Sequence, residues 1–381
     1  MDTPPKRPLW RVLFIPVFLT IAVVACIVAA AVIVTKPVNN KLNPIESAVL
    51  RVELSTQSKD LNTPGGTDDR SVCFAVNQGD NATTIGLNLA QQGFVKDADL
   101  FRKYARYYGI DAQLQAGIYS LRHTLTIPEI AQTLTDVGSN TVTFQAIEGL
   151  RVEEIAQAID RATPPLAFRG ADFLLLVGPG AASHSALAND FTSRAGIPVG
   201  KSLEGFLFPD TYILPACAQA DELVSRMLQN FDSKVTAQMR QDMLTQKLSL
   251  YQAVTLASIV EREAVVADER PVIASVYLNR LRLPMKLDAD PTVQYALGNK
   301  RDSSTWWPQI TVSDYQQVND PYNTYVNTGL PPGPIANAGL SSIQAVAQPQ
   351  TTQYLYFRAT CSKDGRHNFS VTLAQQEANA C

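Results

Sequence analysis

The pattern of apolar and polar positions changes character several times along the chain. Val12–Thr35 (VLFIPVFLTIAVVACIVAAAVIVT) runs 24 residues without a charge. At about 1.5 Å rise per residue, a helix of that length crosses a hydrocarbon core of roughly 30 Å. Residues 36–70 (KPVNNKLNP, then TQSKDLNTPGGTDDRS) lose this pattern and read as a linker, with a strand possible where Val49–Leu54 partly alternates. Regular alternation begins at Ser71. SVCFAV is a strand, residues 77–95 a turn and a helix stopped by Gly93, and DADLFRKYARYYGI a helix presenting Leu100, Phe101, Tyr104 and Tyr108 on one face. A short strand and a helix opened by Thr126-Ile127-Pro128-Glu129 follow. The order strand, helix, helix, strand, helix predicts a small α+β unit over residues 71–140.

A second pattern starts at Thr141. TVTFQAI is a strand, Glu148–Arg151 a turn, and VEEIAQAID a helix. Residues 178–200 are small and polar, as in a surface excursion. SLEGFLFPDTYIL is bulky and carries Glu204 and Asp210. Helices are predicted at 220–241, 249–264 and 268–282, the last containing VYLNRL. Residues 320–340 (DPYNTYVNTGLPPGPIANAGL) form a long loop, because Pro331-Pro332-Gly333-Pro334 blocks helix and strand alike. TTQYLYFRA then reads as a strand.

The 249–264 helix holds the candidate chemistry. It is apolar nearly all round, as in a buried helix, yet contains Glu261 and Glu263. Both fall below apolar rows, while Tyr251, Thr255, Ser258 and Arg262 form a more polar side. A carboxyl pressed against apolar neighbours keeps its proton to higher pH, which suits a general acid. The alternative is an exposed helix end paired with Arg262 or Arg270. In the 320–340 loop, Asn323 and Thr324 between Tyr322 and Tyr325 suit sugar hydroxyls and sugar rings.

Charge and cysteines set the context. The 381 residues carry a net charge of −3, so no basic surface argues for nucleic acid. Three scattered histidines give no metal-ligand spacing, and no glycine-rich phosphate loop is present. Lys6, Arg7 and Arg11 precede the apolar run, and only Lys36 and Lys41 follow closely. The positive-inside rule then places 1–11 in the cytoplasm, 12–35 across the cell membrane, and the rest outside. Competing readings are a cleaved signal peptide and a lipoprotein signal at Val23–Cys26, although the apolar run continues nine residues past Cys26. Cys73, Cys217, Cys361 and Cys381 would lie in the oxidising compartment, where two disulfides have three possible connectivities. Cys361–Cys381 is the simplest pair, because it ties down the chain's end.

The 71–140 unit resembles a LysM-like module, which binds the N-acetylhexosamine backbone of wall polymers. ASIVERE, LEGFLFPDTY, VYLNRL, DPTVQYALG, PYNTYVNTGLPPGPIANAG, YLYFRA and GRHNFS resemble, in order, the signature blocks of the YceG-like family, the endolytic murein transglycosylases. The resemblance implies an anchored α+β protein: one N-terminal transmembrane helix, the LysM-like module, and a larger α+β catalytic domain over 141–381. It implies cleavage of the MurNAc–GlcNAc bond of nascent peptidoglycan strands with 1,6-anhydro-MurNAc ends, no metal or other cofactor, and peptidoglycan synthases as membrane partners. It places the catalytic acid on Glu261, with Glu263 a supporting carboxylate. Glu204, Asp210, Asn279, Asp290, Asn323, Thr324 and Tyr325 are expected to line the cleft. Two departures stand out: Asp288, where the family commonly has Gln, and Gln375-Gln376-Glu377, where it tends to have Glu-His-Asn. The other classes open are a hydrolase on the same fold, with Asp290 or Glu204 activating water, and a non-enzymatic wall-binding protein.

Overall fold

The stretch read as a linker is helical in part. Helix α1 spans Pro44–Thr56. Asn43 caps it, its side chain accepting from the Glu46 N–H at 2.8 Å, and Pro44 occupies the first turn, where no intrahelical N–H is needed. Leu50 and Leu54, which suggested an alternating strand, lie one helical turn apart and are both buried. The computed structural model describes residues 42–136, 138, 140–180 and 186–381. They fall into two units, Met1–Asn140 and Thr141–Cys381. The apolar run 12–35 lies outside the described residues. Among those described, no helix is long and apolar enough to cross a membrane.

In the first unit, β1 (Val72–Val76) pairs antiparallel with β2 (Gly117–Leu121), Phe74 opposite Tyr119. Helices α2 (Ala82–Gln91), α3 (Ala98–Tyr108) and α4 (Ile127–Thr133) complete the predicted order. Phe74, Ile85, Phe94, Phe101 and Tyr119 form the fully buried centre. On α3, Leu100, Phe101 and Ala105 face inward, but Tyr108 is 46% exposed. The helix stops at Gly109 in the left-handed conformation (φ 70°).

The second unit is built around one helix. β3 (Thr141–Gln145) pairs antiparallel with β4 (Thr211–Pro215), and helices α5 (Val152–Asp160) and α6 (Gly170–Val177) pack together between them in sequence. The single helix predicted over 220–241 is two, α7 (Ala220–Lys234) and α8 (Ala237–Thr245), because the Thr236 side chain accepts from the Met239 N–H and starts a new helix. Helix α9 (Leu250–Glu263) opens with a capping box between Ser249 and Gln252. All eight residues from Ala253 to Val260 are buried. Helices α8, α10 (Arg270–Arg282), α11 (Asp290–Leu297) and α12 (Leu340–Ala347) pack against it.

The 320–340 loop closes the cover of α9. Tyr251 Oη donates to the Pro332 carbonyl (3.1 Å), and Ser258 Oγ accepts from the Ile335 N–H (2.9 Å). These are two of the polar residues singled out on the helix, and they are spent on holding the loop. Strands β5 (Tyr356–Ala359) and β6 (His367–Ser370) pair antiparallel. The Cys361–Cys381 disulfide forms as expected, with Cα atoms 5.5 Å apart.

Close approach of the loop to α9 dictates a glycine. Gly205 has φ +87°, and a Cβ there would lie 2.5 Å from Pro334 Cβ and 2.8 Å from Val254 Cγ1. Gly200 has φ +82° but open space around it. Gly200→Ala should cost about 1 kcal/mol from backbone strain alone. Gly205→Ala adds overpacking of about 1–3 kcal/mol. Denaturant unfolding of both variants checks this; equal losses would refute the close-contact account.

Candidate functional site

Glu261 and Glu263 are two residues apart on α9, so at 3.6 residues per turn they point to sides roughly 200° apart. Their surroundings differ accordingly. Glu261 Oε2 accepts from Ser342 Oγ (2.7 Å) and from the Gly339 N–H (3.2 Å), both at the start of α12. Its Oε1 faces the Arg270 guanidinium at 3.6 Å. The side chain is 7% exposed. The expectation of apolar neighbours therefore fails at Glu261, which is ringed by donors and a cation. Nearby Glu148 is pushed above the usual carboxyl range by burial and then by the Glu261 charge. On the same side, the Arg262 guanidinium lies over the Trp307 ring at 3.9 Å.

Glu263 faces a cavity of about 350 Å³, whose wall includes Arg280, Asp288, Asp290, Tyr315, Tyr325, Phe357, Arg358, His367 and Gln376. Tyr277 Oη donates to Glu263 Oε1 at 2.8 Å. Burial pushes the Glu263 carboxyl up to about 7; the Tyr277 hydrogen bond opposes the rise, Asp290 adds to it, and Arg280 opposes it. Tyr325 Oη donates to Asp290 Oδ1 at 2.6 Å, and burial followed by that bond keeps the phenol protonated. Tyr315 stacks on Tyr325, centroids 4.1 Å apart. Three carboxyls, those of Glu263, Asp288 and Asp290, and two stacked phenols thus meet in one partly enclosed space.

Of the cleft residues expected from sequence, Glu263, Asp290 and Tyr325 line this cavity, and the others do structural work. Glu204 is 1% exposed, its oxygens taken by the Val152 N–H (3.2 Å) and Asn337 Nδ2 (2.8 Å). It cannot reach a substrate, and burial pushes it up to about 8. Asn279 Nδ2 donates to the Thr352 and Tyr354 carbonyls, tying α10 to the segment before β5. Asp210 accepts from the Thr211 N–H and Asn230 Nδ2 at the start of β4. Asn323 and Thr324 are buried. Asn323 Oδ1 accepts from the Tyr325 N–H (2.9 Å), while Thr324 Oγ1 accepts from the Ala289 N–H (3.0 Å) and meets Thr292 Oγ1 at 2.9 Å. They set the positions of Tyr325 and Asp290 instead of touching sugar.

Several lining residues were not singled out from sequence. Arg280 donates to the Lys286, Leu287 and Leu355 carbonyls and to Asp288 Oδ2 (3.0 Å), clamping the turn before α11. Asp288 sits there at φ +49°, a conformation Asp tolerates better than most residues. Arg280 lies in VYLNRL and His367 in GRHNFS, so the blocks carried them, but nothing in spacing marked them as cavity residues. Among the described residues, no cluster of His, Cys, Asp and Glu is arranged to hold a metal ion.

Comparison with known proteins agrees with this architecture. The model of the YceG-like family matches residues 74–381. The endolytic murein transglycosylase of Bacillus subtilis (strain 168) is 32% identical over 325 residues, covering 83% of this chain and 86% of that protein. The endolytic murein transglycosylase of Streptococcus pneumoniae (strain D39) is 27% identical over 301 residues, 76% of this chain and 54% of that protein. A crystal structure of a yceG-like protein from Listeria monocytogenes superposes with a TM-score of 0.54 at 29% identity, covering 82% of this chain and 99% of that one. With a family match over most of its length and a relative of this identity, the chain belongs to the YceG-like family.

Proposed function

We propose that this protein is an endolytic peptidoglycan transglycosylase in which Glu263, rather than Glu261, is the catalytic acid. The observation that carries this is the Glu263 carboxyl in the wall of an open cavity, held protonated to about pH 7 by burial. Glu261 meets Ser342, Gly339 and Arg270 instead, and serves as an acceptor. The names of the relatives support murein as the substrate.

The chemistry needs one proton donor. Glu263 protonates the glycosidic oxygen leaving C1 of N-acetylmuramic acid, and the C1–O bond breaks through an oxocarbenium-like state. The sugar's own C6 hydroxyl closes on C1 and loses its proton, giving a 1,6-anhydro end without water. With Glu263 as the sole titrating group of the mechanism, its carboxylate formed in the first step would have to take that proton back. Tyr325 and Asp290 hydrogen-bond the sugar beside it. A hydrolase would instead need a second carboxyl to activate water. Asp290 is the candidate for that role, and the product end tells the two apart.

The remaining expectations attach to this reading. The apolar run 12–35 would anchor the enzyme in the bacterial membrane with residues beyond 36 outside, close to peptidoglycan synthases. The first unit would act as the LysM-like module, with the exposed Tyr108 ring and the Tyr104 and Tyr107 rings that pack on it at 4.6 and 4.9 Å as its sugar platform.

Glu263→Gln keeps the shape and removes the titrating proton. Loss of general acid assistance should lower the rate by about 10²–10⁴, while Glu261→Gln should retain measurable cleavage. Mass spectrometry of digested glycan strands, counting anhydro ends, is the measurement. Full activity in a folded Glu263→Gln, or abolition only in Glu261→Gln, would return the role to Glu261. Wild-type activity should also fall as pH rises through about 7.

A stability measurement tests the same carboxyl independently. Its folded value, about 7, lies above the 4.5 of a free group, so the fold prefers the neutral form. The stability from that preference is fully present below about 4.5 and is lost as pH rises through about 7. Glu263→Gln never ionises and keeps it. Its melting temperature should exceed that of wild type at pH 8, with the gap narrowing towards pH 5. A pH-independent gap would mean that Glu263 is not held neutral.

A further inference from the structure

His367 is held more tightly than packing requires. Its Nδ1 lies 2.7 Å from Glu269 Oε2, and its own backbone N–H donates to Glu269 Oε1 at 3.1 Å. Glu269 is 6% exposed and belongs to the short turn before α10. The Phe357 ring meets the imidazole edge-on at 5.2 Å and 89°. Carboxylate, backbone and ring together fix both the position and the orientation of the side chain. With Nδ1 donating to Glu269, the other nitrogen of a neutral imidazole is an acceptor. Among the described residues no protein atom partners Nε2, and His367 lines the same cavity as Glu263.

A one-carboxyl mechanism asks Glu263 both to give a proton to the leaving oxygen and to take one from the incoming hydroxyl. The cavity holds a second group fitted to the latter task. We propose that His367, oriented by Glu269, accepts the proton of the C6 hydroxyl as O6 attacks C1; this rests on the transglycosylase reading above. The balance is complete within the pocket. The C1–O bond to the leaving sugar breaks and takes the Glu263 proton, the C1–O6 bond forms, and the O6 proton passes to Nε2. Glu263 is left as carboxylate and His367 as imidazolium, and one proton moving from the second to the first restores both. Glu269 is a positioning residue, which holds the imidazole by Nδ1 and leaves Nε2 to accept. Arg366, 3.2 Å from Asp268 and 3.9 Å from Glu269, flanks that carboxylate, while Arg280, Arg358, Asp288 and Asp290 are the other charged groups around the cavity.

An acceptor for O6 decides which nucleophile reaches C1, so the readout is the partition of products. A ratio of ends does not depend on how much of the enzyme is folded. The full chain, as wild type, His367→Ala and Glu269→Gln, is given glycan strands, and 1,6-anhydro and reducing ends are counted by mass spectrometry. His367→Ala should raise the share of reducing ends about tenfold or more, because base assistance worth about 10²–10⁴ is withdrawn from O6 but not from water. Glu269→Gln should shift the ratio the same way by less. An unchanged ratio in His367→Ala overturns the proposal. Where that variant gives too little product to count, an unchanged ratio in Glu269→Gln does so. Wild type yielding only reducing ends would instead refute transglycosylation itself, a result visible before any variant is compared.

Discussion

The middle of helix α9 has no side that faces water. Eight consecutive buried residues from Ala253 to Val260 require cover all round, and much of the second unit is organised by supplying it. Helices α8, α10, α11 and α12 pack on it, and the proline-rich loop is pinned over Tyr251 and Ser258. The candidate site sits where that cover ends. In the last turn two carboxyls emerge on opposite sides, one into a set of donors and the other into a cavity. A single buried rod thereby fixes two acids in different electrostatic settings, the arrangement that sorts titrating groups into distinct roles.

The loop that covers α9 has its polar side chains spent on bonds within the protein. Asn337 is 1% exposed; its Oδ1 accepts from the Gly205 and Leu207 N–H groups, and its Nδ2 donates to the Leu150 carbonyl and to Glu204. Three distant segments are joined through one amide. Thr324 with Thr292, and Asn323 with Tyr325, do the same beside the cavity. Buried networks of this kind are stiff when every member is satisfied and costly when one is lost. They hold Tyr325 and Asp290 in place although the segment carrying Tyr325 is neither helix nor strand.

Local periodicity carried the α+β class, the five-element order of the first unit and most helices of the second. It misread Pro44–Thr56, because Leu50 and Leu54 satisfy both a partial alternation and a helical turn, and only the Asn43–Pro44 start distinguishes them. It marked Glu261 and Glu263 as unusual but could not rank them. What separates them is Ser342 and Arg270 on one side and Tyr277, Asp290 and His367 on the other, and folding alone brings most of these to α9. The same limit explains why Asn323, Thr324 and Glu204 looked like sugar contacts: their residue types fit, but burial assigns their hydrogen bonds to the protein.

The disulfide from Cys361 to Cys381 encloses β6, His367 and Gln376 in a covalent ring. One wall of the cavity is therefore made from a segment closed on itself by a covalent bond. Reduction would leave every group assigned to chemistry unaltered and would open the ring that carries the imidazole. A wall of the site is thus fastened covalently, by a bond that itself supplies no group to the cavity.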